Sequence, residues 1–133
     1  MQGKDLLSAA DLTAEDIRGL IEDAIGMKGR SGEAQLQGKR LALLFEKPSL
    51  RTKVSFDAAM HQLGGHTIYL SPDEVGLGER EAVADVARVL SRYVDVIAAR
   101  TFSHANLKIL ARYATVPVIN ALSDLEHPCQ ALG

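Results

Sequence analysis

The sequence has one cysteine, no tryptophan and only 5% aromatic residues. The lone thiol, Cys129, excludes an internal disulfide; it leaves the redox compartment open while suiting the cytosol. No apolar run approaches the roughly 18 residues of a membrane helix. The opening "MQGKDLLSAADLTAED" lacks the apolar core of a signal peptide, so the expected location is cytoplasmic with no membrane partner. A large excess of charge of either sign is also missing. A formal net charge of -2 creates no field for nucleic acid, and the shortage of aromatics argues the same way. There are no internal repeats and no low-complexity segments. No glycine-rich phosphate fingerprint follows a strand: "FEKPSLRT" is neither G-x-G-x-x-G nor G-x-x-x-x-G-K-[ST]. His61, His66 and His104 show no ligand spacing, so no metal site is expected.

What is present is a well-patterned globular domain. The 133 residues are 47% hydrophobic and 24% charged, enough for one core. Thr13 reads as an N-cap, with Glu15 and Asp16 in the first turn. Ile17, Leu20, Ile21, Ala24 and Ile25 then fall at helical spacing and predict one buried face. "GMKGRSGEAQLQG" reads as a loop. Leu41–Phe45 is a short continuous apolar run, the pattern of a strand covered on both faces. Lys53–Leu63 reads as a helix with Val54, Phe56, Ala59, Met60 and Leu63 inward, stopped by Gly64-Gly65. His66–Leu70 is a second strand, and "SPDEVGLGERE" a turn-rich loop. Ala82–Tyr93 is a helix, Val94–Ala99 a third strand, Ser103 a cap for a helix reaching Tyr113, and Val116–Ala121 a fourth strand. Pro117 is tolerable at a strand start or a sheet edge. Alternation with short links predicts an α/β three-layer sandwich, a four-stranded parallel sheet flanked by helices.

In such sheets ligands sit beyond the carboxyl ends of the strands. Ser49-Leu50-Arg51-Thr52 follows strand one, Arg100-Thr101 follows strand three, and "SDLEHPCQ" follows strand four. Three separate loops thus bring polar residues to one rim. Ser49, Arg51 and Thr52 stand where a helix begins, which offers free N–H groups and partial positive charge to an anion. Arg51 adds a planar fork suited to phosphate. The alternative is a capped helix with surface cations. Arg100 either polarises a carbonyl at the rim or is a surface or ion-paired arginine. His127 either serves a carbonyl oxygen or merely caps the turn before Pro128. Gln130 lies near His127 if a helix starts at Pro128, and can accept from an amide and donate to a carbonyl. Cys129 points elsewhere on that turn and reads as a small packing residue.

These residues carry a resemblance. "FEKPSLRTKVSF" resembles the S-x-R-T-R phosphate loop of the carbamoyltransferases, and "HPCQAL" resembles their H-P-[CT]-Q motif. The likeness continues through "DLTAEDIRGLI", "LGGHTIYL", "ADVARVLSRYVDVIAART" and "VINALSDLEHPCQAL". It implies the carbamoyl-phosphate-binding half of an ornithine carbamoyltransferase, one domain of a two-domain enzyme. Lys47 in "FEKPS" and Cys129 in "HPCQ" favour ornithine over aspartate as acceptor. The implied reaction moves a carbamoyl group from carbamoyl phosphate to the δ-amine of ornithine, giving citrulline and phosphate in arginine biosynthesis, with no cofactor. The resemblance implies that Ser49, the Leu50 backbone, Arg51 and Thr52 hold the phosphate. Thr52, Arg100 and His127 would surround the carbonyl oxygen. Gln130, with Pro128 and Cys129 beside it, would hold the carbamoyl NH2. It also implies a homotrimer, a second ornithine-binding domain that residues 1–133 lack, and no useful turnover without it. The rival readings are another carbamoyltransferase (aspartate, putrescine or acylornithine acceptor) and a non-catalytic phosphate-binding or oligomerisation module.

Three departures stand out. Lys53 replaces the usual last arginine of the phosphate loop, keeping charge but losing the fork. Leu50 replaces a common threonine, leaving only its backbone for a ligand. Gly76 stands where several relatives place a glutamine that reaches a neighbouring subunit's site. Arg80 either compensates for it or is a solvated loop charge.

Overall fold

The structure, a computed structural model, describes residues 3–28 and 34–133. Strands β1 (Arg40–Phe45), β2 (His66–Leu70), β3 (Val96–Arg100) and β4 (Val118–Leu122) form one sheet in the order β2-β1-β3-β4. All three pairings are parallel. β1 and β3 are central and bury both faces. Leu41, Leu43 and Phe45 pack with Ala98 on one side, against Met60 and Phe56 of α2 (Leu50–Gln62). Ala42 and Leu44 pack with Ile97 and Ala99 on the other, against α4 (Val83–Leu90) and α5 (His104–Tyr113). The continuous apolar runs of β1 and β3 follow from this double cover.

The strand order adds what the run of elements along the sequence leaves open. From β1 the chain crosses to β2 on one side, then to β3 on the other. β1 and β3 are therefore neighbours whose outgoing loops part in opposite directions. That is the topological switch point, where the loops leave a crevice.

Several boundaries differ from the sequence reading. α2 starts at Leu50, not Lys53, because Ser49 caps it; its Val54 and Ala59 are exposed rather than inward. β3 and β4 each begin two residues late, since Val94–Asp95 and Val116–Pro117 still belong to the connections before them. The 71–81 loop contains a short helix, α3 (Pro72–Val75), ended by Gly76 at φ 43°. The last helix, α6, spans Pro128–Leu132. The segment read as a loop from Gly26 begins inside α1 (Ala14–Met27), and its residues 29–33 lie outside the described residues.

The largest correction concerns α1. Thr13 caps it as expected: its hydroxyl oxygen accepts the Asp16 N–H at 3.1 Å, and the Asp16 carboxylate accepts in return. Yet no residue of α1 is buried; Ile25 is 62% exposed and Ile21 44%. Local periodicity made the helix but could not supply something for its apolar face to pack on.

The amino-terminal segment before α1 has a role no pattern announced. Leu6 bridges Ile119 on the outer edge of β4. Its N–H donates to the Val118 carbonyl at 2.9 Å, and its carbonyl accepts from Asn120 at 2.8 Å. The Asp5 carboxylate takes the Val118 N–H at 2.8 Å. This strap, completed by a 3-10 turn at Ala9–Asp11, covers an edge that would otherwise present open hydrogen-bonding groups. Among the described residues, no helix is long and apolar enough to cross a membrane.

Candidate functional site

The β1–α2 loop is organised by Ser49. Its extended backbone (φ -157°, ψ 110°) places it as the cap from which α2 begins. Its hydroxyl donates to Thr52 Oγ1 at 3.0 Å and accepts the Thr52 N–H at 3.4 Å. Thr52 is buried, whereas Arg51 is exposed and Leu50 is 79% exposed. The apolar Leu50 side chain therefore faces outward, and its backbone belongs to the first turn of a 13-residue helix. Two hydroxyls, the free N–H groups of that turn and one guanidinium share a single corner.

The neighbouring corner is the end of β3. Arg100 is its last residue, in register with Phe45 on β1. Its Nε is buried without an acceptor among the described residues. A buried donor on a charged group is expensive to leave unpaired, so this atom marks a place for an anionic or carbonyl oxygen. Glu46 ties the two corners together: its N–H donates to the Arg100 carbonyl at 2.8 Å, and its carboxylate accepts the Phe102 N–H at 2.8 Å. Lys47 lies 4.8 Å above the Phe102 ring.

The third corner follows β4. At the end of the β3–β4 ladder the register shifts between Ala99 and Arg100, and Arg100 pairs with Leu122. His127 caps α6, its Nδ1 accepting the Gln130 N–H at 3.4 Å. A neutral ring that accepts through Nδ1 carries its proton on Nε2, so His127 is set up as a donor. Its pKa is held below the usual histidine value, first by partial burial and then by the nearby positive charge of Arg100. Pro128 is buried as the first residue of α6. The Cys129 thiol donates to the Asn120 carbonyl at 3.6 Å, and burial pushes its pKa up. The thiol is thus turned onto the β4 backbone. Gln130 is exposed on the same turn as His127.

Two doubtful positions resolve into local structure. The Lys53 ammonium sits 3.7 Å from the Tyr69 ring centroid, a cation–π contact that turns it toward β2. Arg80 donates to the Asp73 carbonyl at 3.0 Å, closing its own loop. A Cβ on Gly76 would stand 2.8 Å from the Arg80 Cγ and Cδ, so glycine and the folded-back arginine fit only together.

The partners that brace the segment between β4 and α6 escaped the sequence reading. His104 Nδ1 and Ser123 Oγ share a buried hydrogen bond of 2.9 Å, and the Asp124 carboxylate accepts the His104 N–H at 2.7 Å. The turn residues in "NALSDLEH" signal a loop but not these partners.

Fold and site together define a doubly wound α/β domain whose switch-point crevice gathers hydroxyls, helix N–H groups, an unpaired buried guanidinium nitrogen and a neutral imidazole. A family model described as aspartate/ornithine carbamoyltransferase, carbamoyl-P binding domain, matches residues 4–133, and the chain belongs to that family. It is 52% identical to the anabolic ornithine carbamoyltransferase of Pyrococcus furiosus over all of this chain and 44% of that protein. It is 54% identical to an ornithine carbamoyltransferase of Bacillus cereus over 98% of this chain and 41% of that one. The solved Pyrococcus furiosus ornithine carbamoyltransferase superposes with a TM-score of 0.95, at 52% identity, over 98% of this chain and 43% of that chain. An acetylornithine transcarbamylase complexed with acetylcitrulline gives 0.89 at 36% identity, over 97% of this chain and 45% of that chain. The chain thus spans less than half the length of these relatives.

Proposed function

We propose that this chain binds carbamoyl phosphate at the β1/β3 switch point and supplies the carbamoyl-donor half of an ornithine carbamoyltransferase. The observation that carries this is the buried, unpaired Arg100 Nε standing between the Ser49–Thr52 corner and the neutral His127. In this reading Ser49, the Leu50 N–H, Arg51 and Thr52 hold the phosphate. Thr52, Arg100 and His127 donate to the carbonyl oxygen, and Gln130 takes the carbamoyl NH2. Pro128 and Cys129 shape the turn that presents His127 and Gln130.

The chemistry follows from where charge develops. The amine lone pair forms a C–N bond to the carbonyl carbon, and the π electrons move to oxygen. Donors already in place stabilise that oxyanion; one such donor is worth about 3–4 kcal/mol of barrier in a comparable site. The oxyanion's electrons then re-form the C=O bond as the C–O bond to phosphate breaks, its electrons leaving with a phosphate held by Arg51 and the helix start. The departing phosphate takes the proton from the amine nitrogen, and citrulline and phosphate remain. Ornithine is favoured as acceptor by the greater similarity to ornithine enzymes than to the acetylornithine enzyme. Arginine biosynthesis and a homotrimer belong to the same reading.

Two results test it. Titration of the 133-residue chain should give saturable carbamoyl phosphate binding, while added ornithine yields no citrulline above background, because the amine's own binding half lies outside these residues. Absence of binding refutes the site, and robust citrulline formation refutes the division of labour. Second, His127 should titrate with a midpoint below ~6.5, the ordinary histidine value. The sign is as follows: the folded chain binds the proton more weakly than the unfolded chain. His127 therefore contributes stability above ~6.5, and that contribution disappears as pH falls through the lowered folded value. Following its ring Cε1–H by NMR reads the midpoint; a value at or above the ordinary one contradicts the structure.

A further inference from the structure

The loop that carries His127 is held by residues that touch no proposed ligand. Asn120 is fully buried in β4. Its side-chain NH2 donates to the Leu7 carbonyl at 2.8 Å and the Glu126 carbonyl at 3.3 Å, with a longer contact to Ser123 Oγ at 3.4 Å. Its Oδ1 accepts the Leu122 N–H at 3.0 Å. Leu122 is the only non-glycine residue with positive φ, 139°, among the described residues. A leucine there is strained, and strain of this kind persists only where the surroundings over-determine it. It falls at the register shift beside Arg100.

The Glu126 carbonyl also accepts the Ser123 N–H at 3.1 Å. That carbonyl and the His127 N–H share one rigid peptide plane, so fixing the carbonyl fixes how the chain enters His127. From the other side, the Glu126 carboxylate accepts the Ala9 N–H at 2.9 Å. The Ser8 hydroxyl and then the Ala9 N–H lower its pKa, so it stays charged and keeps accepting. One residue is thus gripped twice, by β4 through its carbonyl and by the amino-terminal strap through its side chain.

We propose that Asn120 and Glu126 are positioning residues for His127: they latch the strap at residues 5–9 to the 123–127 loop and so set the imidazole beside Arg100. The inference rests on the reading that His127 donates to the carbamoyl oxygen. A merely structural latch would disturb all binding alike. A positioning latch should touch only the carbonyl end of the ligand, since the phosphate corner hangs on β1 and α2.

The test compares two ligands on the 133-residue chain by calorimetry: inorganic phosphate, which reports the Ser49–Thr52 corner, and carbamoyl phosphate, which adds the carbonyl. Glu126→Ala should leave the phosphate Kd within about twofold and reduce the preference for carbamoyl phosphate about tenfold, the scale of one misplaced hydrogen bond to a charged site. Glu126→Gln, which keeps an acceptor for Ala9, should recover most of it. His127→Ala should lose the same preference, and adding Glu126→Ala to it should cost nothing further. Asn120→Asp, which keeps the acceptor for Leu122 and removes both donors, should behave like Glu126→Ala. The inference is overturned if Glu126→Ala keeps its preference while His127→Ala loses it, or if phosphate affinity falls in parallel. If His127→Ala changes nothing, the reading of His127 fails and the inference falls with it.

Discussion

Replacing Arg51 with alanine is expected to weaken carbamoyl phosphate binding by roughly 100-fold, the equivalent of about 3 kcal/mol for a doubly hydrogen-bonded guanidinium–phosphate contact. The other cations of the rim cannot substitute for it. Lys53 is turned onto the Tyr69 ring and Lys47 onto the Phe102 ring, so each already has a partner elsewhere. Arg100 is anchored at the end of β3. Arg51→Lys should restore the charge without the fork and recover only part of the loss. Titration calorimetry at fixed salt reads both variants. A change smaller than about threefold in Arg51→Ala would mean that the helix start and the two hydroxyls carry the phosphate alone, an outcome that current helix-terminus energies of about 0.3–1 kcal/mol do not favour.

Phe45→Ala is expected to cost about 3–5 kcal/mol of folding stability, as large aromatic truncations in close-packed cores do. That is a large share of the about 5–15 kcal/mol that holds a domain of this kind together. Phe45 is 0% exposed, and its ring meets Tyr69 edge-on, 5.4 Å between centroids and 80° between planes. Its consequences reach the rim. Tyr69 supports the Lys53 ammonium, and the Phe45 backbone pairs in register with Arg100. Urea unfolding should show a lower midpoint with an unchanged slope. A loss below about 1 kcal/mol would mean that the neighbouring side chains close over the gap.

How much of this was legible depends on the range over which each feature is determined. β1 was read within one residue, because burial on both faces writes itself as an unbroken apolar run; β2, a partly covered edge strand, was read to the residue. The three loops of the rim were legible for the same reason: parallel strands all end on one side, so their following residues must gather. The α1 face was legible as a pattern and misleading as a prediction. Ile17, Leu20, Ile21 and Ile25 have the spacing of a buried stripe, but spacing cannot say whether a partner surface is present. The start of α2 was read three residues late because the polar run Ser49–Lys53 masked a cap that the structure makes explicit. The strap at Leu6 left no trace at all, since a single-residue bridge has no period to detect. Nor did the buried set of Asn120, Ser123 and His104, whose members meet only after the sheet has assembled. The sequence pointed to candidate residues at the rim; it did not show what holds them still.

The strap has a consequence in time. Leu6 and Ile119 are bridged, and Ala9 donates to Glu126, so the strap bonds with residues made more than a hundred positions after it. Until β4 is made, the strap has no strand edge to dock on. β1, β2 and β3 can pair and α2 can cap while β4 is still being made. The Ser49–Thr52 corner is therefore within reach of a chain that lacks β4, whereas the His127 corner waits for the strap to meet the 123–127 loop. A contact spanning 117 residues is among the slowest kinds to form, because loop closure precedes any gain from it. The part of the core built on β1 and β3 can form before the last corner of the rim.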